Sequence, residues 1–396
     1  MSTRAGRAPI RRTPRPRDRR AQILAAASDL FYRFGYHNVG TEDIATAVGI
    51  TPGALYRHVR SKEELLASAL SDSFERATTV VDRQPPGGFA AVVADLAETA
   101  AHGRELGVLW TRETRHLRAE YRAPMLERFF VFLASLTAGL RDARGELSGD
   151  DAELLAWCLL AVLTSASYHS AAATPEVMAT VLRDMALCVC EARIDTCGVS
   201  EEPVAACGET GLPPRVRREA LLAAAARLFG DRGYQSVTME EVGAEVGVTG
   251  AGVYRHFVTK ADLLTAIVAR ATESLQLGMS RALSAAATPA DGLANAVAAY
   301  IDFAMAHTDL VNVLVAEVMN VPQPYRHRIR RAEHDYVAEW VCLLAATHPE
   351  LDRTAVLFRV HAVLTVVNDV ARTSHLRGRP GLVDKVRLVA AGVLHA

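Results

Sequence analysis

Residues 20–66 lie over residues 218–264 without a gap, at a constant offset of 198, and 20 of the 47 paired positions are identical. A repeat distance near 200 residues means duplicated domains and excludes a solenoid, whose period is about 20–50. At 396 residues the chain has room for two such copies, each with a sizeable domain behind it.

Each copy follows one helical grammar. Ile23, Leu24, Ala27, Leu30 and Phe31 form a stripe at helical spacing, repeated by Leu221, Leu222, Ala225, Leu228 and Phe229. Gly35 and Gly233 stand where a left-handed glycine would end that helix. A second short helix carries Ile44, Ala45 and Val48, or Val242, Gly243 and Val246, and stops at Gly49 or Gly247. Thr51 and Thr249 are the expected N-caps of a third helix, over Thr51–His58 and Thr249–His256. Ser61-Lys62-Glu63-Glu64 reads as a capping box opening a fourth helix, and Thr259-Lys260-Ala261-Asp262 as a weaker one. Two short helices across a glycine turn make a helix-turn-helix unit, which places the front of its second helix in the major groove.

Charge is distributed to match. The total is nearly balanced, 44 basic against 45 acidic residues, yet residues 1–20 hold eight arginines and one acid. With Pro9, Pro14 and Pro16 against helix formation, that segment reads as a basic arm seeking phosphates through Arg11, Arg12 and Arg17. A solvated tail and an Arg-rich transit peptide are the competing readings. Lys62, Lys260 and Lys385 are the only lysines, and two of them fall at equivalent places in the duplication.

The spacing Phe-x3-Gly-Tyr, Gly-[Ile/Val]-Thr, Tyr-Arg-His and [Ser/Thr]-Lys-x2-Leu-Leu resembles the N-terminal DNA-binding domain of TetR-type transcriptional regulators. The resemblance covers some 47 residues per copy and implies a tandem, single-chain version of a regulator that is usually a homodimer. It implies phosphate contacts from Tyr56, His58 and Lys62 and from Tyr254, His256 and Lys260. Base edges would be met by Thr51, Pro52, Gly53, Ala54 and Arg57, and by Thr249, Gly250, Ala251, Gly252 and Arg255. The phosphate-touching threonine of the family is Thr238 in the second copy, whereas the first has Gly40 followed by Thr41. Each copy departs from the pattern in a different place. The expectation is therefore two unequal half-sites, with the first module supplying more of the electrostatic affinity.

Residues 75–195 and 273–396 keep a helical period without strand-like alternation, so the expected fold is all-α. The division is an arm at 1–19, a DNA-binding domain at 20–74 and a regulatory domain at 75–195. A linker at 196–214 leads to a second DNA-binding domain at 215–272 and a second regulatory domain at 273–396. Glu113, Tyr121 and Arg122 recur as Glu317, Tyr325 and Arg326. The last two helices of each half, 152–170 with 175–194 and 353–376 with 381–396, are expected to pair into an intramolecular pseudo-dimer, as the family's subunits do. Further self-association of chains stays open. The family's effector cavity would be lined by Trp110, Arg112, Glu113, His116 and Tyr121 in half one, and by Glu317, Asn320, Tyr325 and His361 in half two. Ordinary amphipathic packing is the competing reading for each.

Cys188 and Cys190 point to different helix faces, and Cys197 and Cys207 fall near the linker, so the cysteines read as thiols and no metal or other cofactor is implied. No phosphate loop, dinucleotide fingerprint or nucleophile elbow is present, so no enzyme is expected. No uninterrupted apolar run reaches the ~18 residues of a membrane span, which reads as a cytoplasmic protein without a membrane partner. These features point to a repressor that binds a double-stranded DNA operator and is released by a small hydrophobic effector. A helical interaction protein with degenerate modules and a helical ligand carrier are the alternatives.

Overall fold

A chain with a helical period nearly throughout buries its apolar stripes helix against helix. The computed structural model describes residues 16–169, 173–194 and 214–396, and among them only helices, turns and loops occur. Most of the expected arm and linker lie outside the described residues, with Arg11, Arg12, Cys197, Cys207 and the side chain of Arg17. In chain order the helices of the first half are α1 Pro16–Phe34, α2 Thr41–Ala47, α3 Pro52–Leu55, α4 Lys62–Arg83, α5 Phe89–His102, α6 Leu106–Glu113, α7 Ala119–Ala143, α8 Gly149–Thr164 and α9 Pro175–Glu191. The second half adds α10 Arg217–Arg232, α11 Met239–Glu245, α12 Gly250–Tyr254, α13 Lys260–Ser284, α14 Pro289–Ala306, α15 Thr308–Glu317, α16 Gln323–Thr347, α17 Arg353–Arg372, α18 Ser374–Arg377 and α19 Leu382–His395. They form two compact units, one ending at Ser71 and the other running from Asp72 to Ala396.

In the first unit the α1 stripe is buried through Ile23, Leu24, Ala27 and Phe31, together with Ile44, Leu55, Val59, Leu65 and Leu66. Gly35 ends α1 with φ 81° and ψ 150°, and Gly233 ends α10 with φ 84° and ψ 143°. The positive φ agrees with the expectation, but the extended ψ places both in a region open essentially to glycine alone, away from the left-handed cap. The third helix is shorter than expected in both copies, because the chain tightens after it. His58 N–H donates to Leu55 O at 2.9 Å, and His256 N–H to Val253 O at 2.9 Å. That turn delivers Val59 and Phe257 into their cores.

Caps differ from the sequence reading in two places. Thr51 accepts from Ala54 N–H at 3.2 Å, whereas Thr249 makes no side-chain cap bond. Thr259 and Asp262 form a complete capping box, while in the first copy Ser61 accepts from Glu64 N–H at 3.0 Å and the Glu64 carboxylate takes the N–H of Arg60 at 2.7 Å.

The second unit contains both regulatory halves and the second helix-turn-helix module. Helices α8 and α9 of one half pack against α17 and α19 of the other, so the two halves are an intramolecular pseudo-dimer. Their faces carry small and branched residues, among them Ala156, Leu159, Ala161 and Val162 on α8 and Val360, Val363, Val366, Val367 and Val370 on α17, all fully buried. Each fully buried valine or leucine contributes roughly 1.5–3 kcal/mol. The rim is polar: Lys385 Nζ lies 2.6 Å from Asp151 Oδ1, His375 Nε2 lies 2.8 Å from Glu153 Oε1, and Arg379 pairs with Glu153. The long helices expected at 152–170 and 353–376 are each interrupted, by the 3-10 turn Ser165–Tyr168 and at Thr373. By length and mean hydropathy α7 and α17 would match membrane spans, although neither is an uninterrupted apolar run; 61% of the most apolar window of α17 is buried inside the protein.

A histidine pair sits at the junction of the halves. The His169 ring lies 4.3 Å from Phe358 and 4.9 Å from His361, both on α17. Burial holds His169 down to about 3 and His361 to about 4, from an ordinary 6.5. The unfolded chain therefore takes up these protons first, and the pair's stabilisation is lost as pH falls from 6.5 toward 4. Asp369, raised by burial from 3.8 to about 6, acts oppositely and favours the folded chain at low pH. Because Asp369 is common to both proteins, comparing the wild type with His169→Phe isolates the histidine contribution. The stability advantage of the wild type, measured by denaturant unfolding, should shrink steadily from pH 7 to pH 4; a difference independent of pH would overturn this account.

Candidate nucleic-acid interface and effector cavities

The two helix-turn-helix modules present similar faces with different electrostatics. Tyr56 and Tyr254 stand about half exposed, 52% and 48%, beside the exposed Arg57 and Arg255. The Tyr56 hydroxyl and Thr41 Oγ1 are 3.2 Å apart. Thr51, Pro52 and Gly53 are exposed at the front of α3 with Ala54 half-buried behind them, and a Cβ on Gly53 would meet open space. In the second module a Cβ on Gly250 would come within 2.9 Å of Glu240 Oε1, the end of an exposed side chain that can move aside. A carboxylate thus stands at the front of α12, where it can repel phosphate or accept from a cytosine amino group. Sequence reasoning passed over Glu240, although Glu42 and Glu240 are an identical pair in the duplication. Ala251 and Thr249 are exposed on the same front, with Gly252 half-buried.

The lysines sit over aromatic faces, Lys62 Nζ 4.2 Å from the Tyr36 centroid and Lys260 Nζ 4.3 Å from that of Tyr234. Lys260 also donates to Tyr234 O at 2.9 Å and Val237 O at 3.0 Å, and burial pulls its ammonium below the usual lysine range. The cation expected to meet phosphate is here also a clamp on the turn after α10. His58 is half-buried and His256 exposed. Arginines of the second module are largely paired: Arg227 with Glu245, Arg232 with Glu241 at 2.5 Å, and Arg218 and Arg270 with Glu219 at 3.4 and 2.7 Å. Such exposed pairs stabilise little, yet they neutralise charge that would attract DNA. Thr238 caps α11 by accepting from Glu241 N–H at 3.2 Å, and the Glu241 carboxyl is held down to about 2 by the Thr238 N–H and Arg232.

A cavity lies between the middle helices of each half, at corresponding places. In half one it measures about 100 Å³ and is walled by Phe74, Trp110, Phe129 and Phe132. The Trp110 and Phe129 rings stack at 4.9 Å, and Arg76 is the one charged lining group. The half-two cavity is larger, about 180 Å³, and more polar, with Tyr300, Glu333, Tyr336, His361, Asn368 and Asp369 in its wall. Tyr168 of half one completes that wall, and its hydroxyl donates to Thr111 Oγ1 on α6 at 3.0 Å.

Of the expected effector contacts, Trp110 and His361 line these two cavities and the others do not. Glu113 is buried in a cluster with Arg112 at 3.1 Å and His116 at 3.8 Å. Tyr121, half-buried on α7, and Tyr325, exposed on α16, stack under Arg118 and Arg328. Glu317, 1% exposed, accepts the Tyr234 N–H at 3.0 Å and the Asn320 side-chain amide at 2.6 Å, and pairs with Arg115 at 2.6 Å. Asn320 in turn accepts from Gln235 at 3.1 Å. These residues are packing and anchoring groups outside the cavity walls, because a buried carboxylate needs full hydrogen bonding and obtains it from the turn after α10. The described cysteines are free thiols, and Cys158 is pushed up to about 12 by burial.

The pattern that describes bacterial regulatory proteins of the tetR family matches twice, at residues 23–69 and 221–267. The regulator UidR of Escherichia coli strain K12 is 31% identical over 140 residues, which cover 33% of this chain and 70% of that protein. The chain belongs to the TetR family. The transcriptional activator FasR of Mycolicibacterium smegmatis is 37% identical over 92 residues, 23% of this chain and 42% of FasR, so the match spans less than half of that relative. Among solved structures, the TetR family regulator PfmR of Thermus thermophilus covers 45% of this chain and 96% of its own at 20% identity, with a TM-score of 0.40.

For a TetR chain with unequal modules, the two lysines should separate. Lys62→Ala should weaken DNA binding more than Lys260→Ala and lower the salt slope by about one unit. Lys260→Met should also lower the stability of the second module by about 1–2 kcal/mol through its lost carbonyl bonds. Equal affinity losses with equal slope changes, read from binding titrations across salt, would count against the unequal assignment.

Proposed function

We propose that this TetR-family chain is a sequence-specific transcriptional regulator, a cytoplasmic repressor that reads one composite operator with two modules carried on a single chain. The observation that carries the reading is the pair of modules, each presenting an exposed Tyr-Arg pair beside its third helix. In this reading the arm residues Arg11, Arg12 and Arg17 with Tyr56, His58 and Lys62 hold the phosphates of one half-site, and Arg57 with the front of α3 reads its bases. Thr238, Tyr254, His256, Lys260 and Arg255 do the same for the other. The arm, module, regulatory and linker boundaries of the sequence reading are part of the proposal.

The effector is a small molecule bound in the middle of one or both halves. The aromatic, almost dry cavity of half one suits a hydrophobic effector. The half-two cavity favours a molecule that also offers hydrogen-bond donors. Release needs only that the effector bind better to a spacing of the two modules that the operator does not accept, and that differential affinity is the entire coupling. Paired arginines and an engaged Lys260 in the second module favour one alternative, in which that module is an interaction surface and reads no DNA.

A selection from a randomised duplex pool with the full chain at moderate salt tests the proposal. The expected result is two related but unequal half-sites at fixed spacing, about one helical turn or a multiple apart. A single half-site would move the second module to the interaction reading, and no enrichment would sink the proposal.

A further inference from the structure

Glu317 is the point where the second DNA-binding module meets both halves of the protein. From below, its carboxylate holds the Tyr234 N–H of the turn after α10, the same turn whose carbonyls Lys260 clamps at 2.9 and 3.0 Å. From its own half, it ends α15, whose Leu314, Val315 and Val318 neighbours line the half-two cavity. From the other half comes Arg115, in the 3-10 turn after α6, with its guanidinium 2.6 Å from Glu317 and donating to Ala316 O at 3.3 Å. A Cβ on Gly233 would lie 3.4 Å from Arg115 Nε, so the arginine also abuts the glycine that ends α10. Helix α6 supplies Leu106 and Trp110 to the half-one cavity. Arg115 is fixed to that helix through its bond to Arg112 O at 3.0 Å.

The arginine of this connection is not repeated at the matching position of half two. Glu113, Tyr121 and Arg122 match Glu317, Tyr325 and Arg326 at an offset of 204, which places Met319 opposite Arg115. A thioether cannot donate to a carboxylate. In a homodimer any such arginine would occur twice; here it stands in half one and Met319 takes its place in half two.

We infer that Arg115 is a positioning residue for the second DNA-binding module, through which that module reports the state of half one as well as its own. The inference rests on the regulator reading, since it assigns the regulation of the same DNA-binding surface. A ligand or side chain that displaces α6 moves Arg115, and the buried Glu317 must follow or lose its counter-charge. Because the Tyr234 N–H and the Lys260 clamp share the turn, the shift reaches α11 and α12. At the position of half two that matches Arg115 the side chain is Met319, so this ionic link is specific to the second module.

The test uses the full chain and Arg115→Met, which copies Met319, with two duplexes in which one or the other selected half-site is scrambled. Affinity for the duplex that keeps only the second half-site should fall about tenfold, and affinity for the other should stay within about twofold. Hydrogen exchange at residues 233–237 should accelerate in the variant while residues 35–39 keep their rate, and Arg115→Lys should restore part of both effects. Equal losses on the two duplexes, or unchanged exchange at 233–237, would overturn the inference. Should Arg115→Met fail to fold, Glu317→Gln keeps an acceptor for Tyr234 while removing the ion pair, and is held to the same two readouts. If no half-sites exist, the regulator reading fails by itself and the exchange measurement alone decides the link.

Discussion

The structure depends on one shared apolar core. Helices α8 and α9 bury the faces that α17 and α19 leave open, and the core runs on through α5, α7, α14 and α16. Neither half could keep residues such as Leu159, Val162, Val363 and Val367 fully buried alone. Two consequences follow. The halves act as one body, and a change in one is felt as strain at a close-packed boundary that has few discrete alternatives. The effective concentration of each half for the other is set by covalent linkage, so the arrangement does not dissolve on dilution as a homodimer's would.

The second module is fastened to this body by apolar and ionic means together. Val313, Val321 and Ile329 of the regulatory helices complete the same cluster as Phe229, Val253 and Phe257. On top of that cluster lies the Arg115–Glu317 pair. Burial pushes the Glu317 carboxyl up and the Arg115 guanidinium down, and their pairing opposes both shifts. Such a pair adds little net stability over an apolar substitute, but it is directional, and leaving either charge alone is costly. It therefore suits a contact that must hold one geometry and change only when its neighbours move.

Much of the architecture was legible in the sequence, and the illegible parts share a cause. Helix identity, the helix-turn-helix units and the pairing of the last helices were readable, because periodicity and the duplication register are local signals carried by residues such as Phe31, Gly49 and Lys62. The extended ψ at Gly35 and the early end of α3 were not, because they follow from the need to seat Val59 in a core that several segments build together. Glu113 and Glu317 misled for a related reason. A conspicuous acid on an apolar helix invites assignment to a cavity, whereas a carboxylate this deeply buried is better used to satisfy backbone. Arg115 and Glu317 are 202 positions apart, and no spacing rule joins them.

Duplication on one chain changes what a substitution can do. In a symmetric dimer each change appears on both sides of the axis and must suit both. Here Gly40 stands where the second copy has Thr238, Met319 stands where half one has Arg115, and an aromatic cavity answers a polar one. These differences lie on three successive levels, the helix-turn-helix modules, the connection between halves and the cavities. Lys260 is held by carbonyls, the arginines of the second module are paired, and the turn after α10 answers to Glu317. On the proposed reading, a module whose arginines are paired gains affinity mainly from being correctly placed, whereas one preceded by a basic arm gains it from phosphate contacts that tolerate displacement. The first module would then supply the hold on DNA, and the second, tied through Glu317 to both regulatory halves, would decide whether the fit is complete.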